Sequence, residues 1–183
     1  MRSFLMGLGT MLASLTVGSL LAFNTVAFSS QLPLQLGVLK LLHDIYSFLL
    51  TPLSSALGAP SLGGQMNVGI WPLIIWIFSS IFIGLLTGEP VRAGKIVFTS
   101  ASIVFTFWIF SNFMLYSLWN DNLRWLSEVD KVMSDLFLYR ALDIIFFLAV
   151  PSIVSATSAF IIFYLVTAKE RSSNLEDEDY PTM

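Results

Sequence analysis

The one imidazole–carboxylate pair in this sequence is His43-Asp44. An imidazole next to a carboxylate can ligate a metal or relay a proton, and because free histidine changes charge at about pH 6.5 such a residue can drive a pH-dependent rearrangement. The chain holds a single His and no Cys. Disulfides, zinc clusters, iron–sulfur centres, a Cys nucleophile and bis-histidine haem ligation within the chain are therefore excluded, and a metal at His43 would lack a second soft ligand. Lys40 stands four residues before Asp44, the spacing at which opposite charges are neighbours on a helix, whereas adjacent helical side chains diverge by about 100°. One of His43 and Asp44 must therefore look elsewhere, and the simplest arrangement is a snorkelling, solvated polar face that includes Lys40, with Lys40 and Asp44 paired.

Asp143 is the second candidate. It lies near the start of a long apolar stretch, three residues after Arg140. Ionisable groups inside a membrane are functional candidates by default, but a structural ion pair with Arg140 at a helix start, favoured by the N-terminal dipole, is the plainer reading. His43, Asp44, Lys40, Asp143 and Arg140 thus form the candidate ion, proton or polar site, with no catalytic residue and no metal ligand set. No cofactor is expected; a bound lipid or quinone between spans walled by Phe and Trp is the one further idea the composition offers.

The elements that position these residues are set by hydrophobicity. The 183 residues are 56% hydrophobic and 11% charged, against about 25% charged in a typical soluble domain, and the mean hydropathy is +0.80. Nine Lys+Arg oppose twelve Asp+Glu for a formal charge of -3; with no basic face, nucleic acid is not a partner. A helix needs about 20 mainly apolar residues to cross a hydrocarbon core of roughly 30 Å, with all backbone polar groups satisfied internally. Four stretches qualify, at about 4–28, 68–87, 96–119 and 141–168. The first resembles a signal peptide at Ala27-Phe28-Ser29, but it is long for an apolar signal core of about 7–15 residues, and an uncleaved anchor fits it better. Gly88-Glu89-Pro90 marks a tight turn that makes the second and third spans an antiparallel hairpin. Pro151 inside the fourth span predicts a kink, with Ser152 and Ser155 near enough to satisfy the freed carbonyl. Asn24 and Asn112, inside spans, are expected to hydrogen-bond across helices.

Two further segments are amphipathic. In 36–57, Lys40, Asp44, Ser47, Thr51 and Ser54 recur on one face, with Leu39, Leu42, Ile45, Phe48, Leu49 and Leu53 opposite. Such a helix can lie in the interface, or cross with its polar stripe turned into a bundle. The interfacial placement is expected, because Lys or Asp at the bilayer centre costs on the order of 2.5–3.5 kcal/mol each and Pro52 breaks the last third. In 121–140, Trp125, Val129, Val132, Leu136 and Phe137 form an apolar stripe, and Asn120 or Asp121 is the expected N-cap. With four spans and the N-terminus inside, five cations (Arg2, Arg92, Lys95, Lys169, Arg171) are cytoplasmic and four (Lys40, Arg124, Lys131, Arg140) are outside. That is the direction of the positive-inside rule, with both termini cytoplasmic. Trp71, Tyr116, Trp119, Trp125 and Tyr139 then fall at the outer water–lipid boundary.

Small residues at four-residue spacing let membrane helices approach closely. Ser14, Gly18 and Ala22 mark such an edge on the first span, Ser80 and Gly84 on the second, and Ser152 and Ala156 on the last, which predicts close first–second or first–last packing. Residues 1–171 form one polytopic domain, and 172–183 an acidic tail of disordered composition. No phosphate-binding loop, zincin motif, nucleophile elbow, repeat-related pair of broken helices or filter-like loop is present.

The fold class expected is an all-α integral membrane protein: a four-transmembrane-helix bundle with two interfacial amphipathic helices. Its expected role is that of a non-catalytic small membrane subunit that packs against membrane lipids and other membrane protein subunits, or forms a homo-oligomer, within a larger complex. The alternative is a transporter or channel component using the polar residues at the outer mouth.

Overall fold

The computed structural model describes residues 2–23, 33–64, 66–119 and 125–178. Over these the chain is all-helical, 89% helix with no strand. The first span is helix α1 (Arg2–Ala22); its expected continuation through Asn24 to residue 28 lies outside the described residues, as do Asn120, Asp121 and Arg124. The amphipathic segment 36–57 is two helices, α2 (Leu34–Leu49) and α3 (Pro52–Ala56), separated where Pro52 removes a backbone donor and starts the second. After a single turn of 3₁₀ helix at Leu62–Gly64 come α4 (Trp71–Thr87) and α5 (Pro90–Phe110). Gly88 caps α4 at φ +63°, a left-handed conformation that glycine adopts without strain, and its N–H bonds Gly84 O at 3.0 Å. Pro90 then opens α5 at once, so this helix begins earlier than the apolar run at Ile96.

α5 runs on through a π-helical turn, Ser111–Leu115, into α6 (Tyr116–Trp119). Trp108 O accepts Ser111 Oγ at 2.8 Å and Asn112 Nδ2 at 2.9 Å. Asn112 therefore serves its own helix, not a neighbouring one as expected, because the wider winding alters the backbone pairing. Helix α7 (Trp125–Ser134) passes through a second π turn, Asp135–Tyr139, and the last helix is α8 (Ala141–Glu178). α8 continues past Ala168 through residues 172–178 that composition assigns to a disordered tail. Once a helix is nucleated, each further residue adds a hydrogen bond, and the first strong breaker is Pro181. By length and composition α1, Pro90–Leu118 and Ala141–Ala168 can cross a membrane; α4 is a shorter apolar helix.

Cross-helix contacts fix the direction of each long helix. Ser14 meets Ser79 with Oγ atoms 2.8 Å apart, and Gly18 meets Ile75, so α1 runs antiparallel to α4. Trp76 stacks on Phe147 (ring centroids 6.1 Å apart) and Gly84 abuts Ser155, so α4 and α8 are parallel. Phe105 meets Phe147 edge-on while Gly94 faces Ser152 and Ala156, so α5 opposes α8. The four therefore alternate up and down about a core that includes Met11, Leu15, Trp76, Ile83, Trp108 and Phe147. First–second packing is present, but the small residues Ser152 and Ala156 of the last helix face Gly94 of α5, while Ser155, Ser158 and Ala159 face Gly84 of α4.

Around Pro151, Ser152 Oγ bonds Leu148 O at 2.8 Å, and the buried Ser155 hydroxyl has no hydrogen-bond partner among the described residues. Neither takes the Phe147 carbonyl that Pro151 frees: Ser152 reaches its own i−4 carbonyl, and the Ser155 backbone oxygen lies against Gly84 in the close α4–α8 contact.

At that contact the backbones of α4 and α8 approach closely. A Cβ built on Gly84 would lie 2.5 Å from Ser155 O and 2.7 Å from Ser158 Cβ, whereas one on Gly9 meets nothing within 4 Å. Gly84→Ala is expected to lower stability by about 1–3 kcal/mol through overpacking, and Gly9→Ala to be neutral or to stabilise by up to ~1 kcal/mol. Thermal unfolding of both variants in detergent checks the contrast; equal stabilities would contradict the contact.

Candidate functional site

The polar candidates all lie at one end of the bundle. There α1 and α5 finish, α4 and α8 begin, and α2 with α3 is laid across them. Phe48 packs on Phe23 after α1 (centroids 4.9 Å apart) and Tyr46 meets Phe107 edge-on at 5.8 Å. Two indoles anchor this cap from below: Trp76 Nε1 donates to Leu49 O at 2.8 Å, and Trp108 Nε1 to Ser47 Oγ at 2.7 Å. Both tryptophans are fully buried. Sequence reasoning did not single them out, although the signal existed, since an indole N–H buried mid-span must find an acceptor.

The candidates fall into two groups. In the first, Asp44 is held between two neighbours, with Lys40 Nζ 3.0 Å from Oδ2 and His43 Nδ1 3.2 Å from Oδ1. The Lys40–Asp44 pair is the one the spacing predicts. Contrary to expectation, neither His43 nor Asp44 looks away from the other, although the His43 side chain is buried while those of Lys40 and Asp44 are each 32% exposed. The imidazole lies edge-on to Tyr116 at 6.2 Å, and the Tyr116 hydroxyl donates to Glu128 Oε2 at 3.0 Å. Burial by itself raises the Asp44 carboxyl, but hydrogen bonds from His43 and Lys40, with their charges, outweigh it and hold the group below its ordinary value. Asp44 is therefore an ionised linker between Lys40 and His43. Among the described residues no group of three or more His, Asp or Glu side chains is placed to hold a metal ion.

In the second group, Asp143 and Arg140 do not pair with each other. Arg140 has φ -126° and ψ 29°, outside helical geometry, at the junction between the π turn and α8. That break turns its guanidinium away from the first turn of α8. Nε meets Asp135 Oδ1 at 3.0 Å, and Nη1 donates to Pro60 O at 2.6 Å and Ser54 Oγ at 3.4 Å. Asp143 is 2% exposed, and its Oδ1 accepts the backbone N–H groups of Leu53 at 2.7 Å and Ser54 at 3.1 Å. These are the first two donors after Pro52 at the start of α3, whose own Thr51 makes no side-chain cap. A carboxylate from α8 therefore caps α3, satisfying donors that would otherwise be buried without partners.

The arrangement is a clasp. Asp143 and Arg140 both grip the segment from Leu53 to Pro60, tying the α2–α3 cap to the start of α8. The small residues Ser14, Gly18 and Ala22 line a groove of about 510 Å³ between α1 and α4, walled by Trp71, Phe78 and Phe82; Ser80, fully buried, bonds Trp76 O at 2.7 Å.

Asp143→Ala removes the acceptor from two backbone donors, so it is expected to cost about 1–3 kcal/mol. Asp143→Asn keeps a carbonyl oxygen there and is expected to cost less. Unfolding midpoints in detergent test this order, and an Ala variant as stable as the parent would contradict the cap. Comparison of the chain with protein-family models, curated proteins and solved structures finds no match, so function has to be read from this geometry alone.

Proposed function

We propose that the protein is a non-catalytic integral membrane subunit that packs against and stabilises a larger multi-subunit membrane complex. It crosses the bilayer four times, both termini are cytoplasmic, and α2–α3 and α7 form a cap at the outer face. One observation carries this reading: the ionisable groups Lys40, Asp44, Asp135, Arg140 and Asp143 are engaged in intrachain bonds at the cap, while the bundle turns apolar side chains such as Met6, Phe78, Phe82 and Phe98 outward. A transport site would need polar groups free to exchange partners with a substrate. Faces without reactive groups offer packing surface to lipid and to other membrane helices.

The crossing of α4 is supported by direction. α1 and α5 both start at the end of the bundle opposite the cap, so the chain must return between them, and α4 makes that return. Its 17 residues rise about 26 Å, close to the hydrocarbon thickness of roughly 30 Å. The interfacial reading of α2–α3 is supported by its contacts near the ends of the long helices, at Phe23, Phe107 and Asp143, and the α1–α4 groove offers room for a lipid chain.

Native electrophoresis of membranes solubilised in mild detergent, followed by mass spectrometry, tests the proposal. The chain is expected to co-migrate with at least one other integral membrane protein, whose abundance falls when the chain is deleted. A strictly monomeric species that supports flux in proteoliposomes, abolished by Asp143→Asn or His43→Ala, would establish the transport reading in its place.

A further inference from the structure

The groove between α1 and α4 contains a hydrogen-bond donor that the protein leaves unmatched. Hydroxyls on the long helices donate to the carbonyl four residues earlier at Thr10, Thr16, Ser80, Ser100, Ser102 and Ser158, which keeps such a group paired inside a membrane. Ser14 and Ser79 do otherwise. They turn toward each other across the two helices, with Oγ atoms 2.8 Å apart. Only one of them can donate in that bond, so a second O–H is left, and no acceptor for it stands among the described residues. The Ser19 and Ser155 hydroxyls also lack partners, but both residues are fully buried. The Ser14–Ser79 pair instead lines an open groove of about 510 Å³, within the roughly 300–1,000 Å³ of small-molecule sites.

Depth limits what can accept that hydrogen. Ser79 is the ninth of the 17 residues of α4, so about 12 Å of helix separates it from either end. The ester and phosphate oxygens of bilayer lipids lie at the edge of the hydrocarbon core, roughly 15 Å from its centre. An acyl chain in the groove would cover its apolar walls and leave the hydroxyl unmet. The acceptor has to arrive on a ligand that lies wholly within the core and carries its own oxygen there. The walls add a second requirement. Trp71, Phe78 and Phe82 are each at least half exposed along the α4 side, while Gly18 and Ala22 leave space on the α1 side, so the groove suits a flat ring that packs among aromatic side chains.

We propose that this groove is a binding site for a quinone with an isoprenoid tail, one ring carbonyl of which accepts the hydrogen left by the Ser14–Ser79 pair. This rests on the crossing of α4 argued above and asks nothing of partner subunits.

The test titrates decylubiquinone into the full-length protein in phosphatidylcholine nanodiscs and reads tryptophan fluorescence, which a quinone ring quenches on contact. Saturable quenching is expected, and its loss in Trp71→Phe. Decylbenzene, with a ring and the same tail but no carbonyl, should fail to displace the quinone at equal concentration. Combining Ser14→Ala with Ser79→Ala should weaken quinone binding about three- to tenfold, the worth of one net hydrogen bond. The comparison of the two probes uses the parent protein, so it decides the matter even if the double variant does not fold. Absence of saturable quenching, equal competition by decylbenzene, or a folded double variant that binds the quinone as tightly as the parent would overturn the site. Should Ser3→Cys and Ala59→Cys label from the same side of sealed vesicles, the crossing of α4 fails and the site with it; if they label from opposite sides while the probes bind alike, the site alone fails.

Discussion

A carboxylate enclosed at one end of a helical bundle must meet hydrogen-bond donors, because an ionised group taken out of water without partners is strongly disfavoured. Asp143 meets the Leu53 and Ser54 N–H groups, and the cap end of the molecule depends on that contact. Helix α3 is too short to stand alone, and Pro52 contributes no N–H at its start. Without a carboxylate from α8, its next donors would be buried and unmet. Arg140 reinforces the tie by reaching Pro60 O and Ser54 Oγ from the neighbouring turn. The same two residues that look like a transport site in the sequence are thus occupied in holding α2–α3 across the helix ends.

Below the cap, geometry follows from side-chain size. Gly84 lets α4 approach the backbone of α8 at Ser155, and Gly94 lets α5 approach Ser152 and Ala156 from the other side. α8 is therefore the element against which both members of the hairpin are set. The large side chains fill the space nearer the cap, where Trp76, Phe105 and Phe147 meet. Trp76 and Trp108 join the two regions, since each indole packs in the bundle and donates upward to α2.

Much of this was legible from residue type and spacing. The Gly88-Glu89-Pro90 turn, the interruption at Pro52 and the Lys40–Asp44 pair follow from local rules that act within a few residues. The partner of Asp143 did not, because it lies some 90 residues away in the chain and no periodicity encodes it. Nor did the orientation of Arg140, which depends on a non-helical φ created by the preceding π turn. The small-residue edges were visible, but which helix each edge faces is decided by the direction of all four helices together. The extent of α8 has a different origin: composition gives the solubility of residues 172–178, while the helix that reaches Glu178 propagates out of the apolar segment before them.

The central claim is that four alternating helices cross the membrane and that the polar clasp sits on one side of it. Because the chain contains no cysteine, single cysteines can be introduced at Ser3, Ala59 and Thr182 and labelled from either side of sealed vesicles with a membrane-impermeant reagent. The account predicts that Ser3 and Thr182 label from one side and Ala59 from the other. Labelling of Ser3 and Thr182 from opposite sides would contradict it.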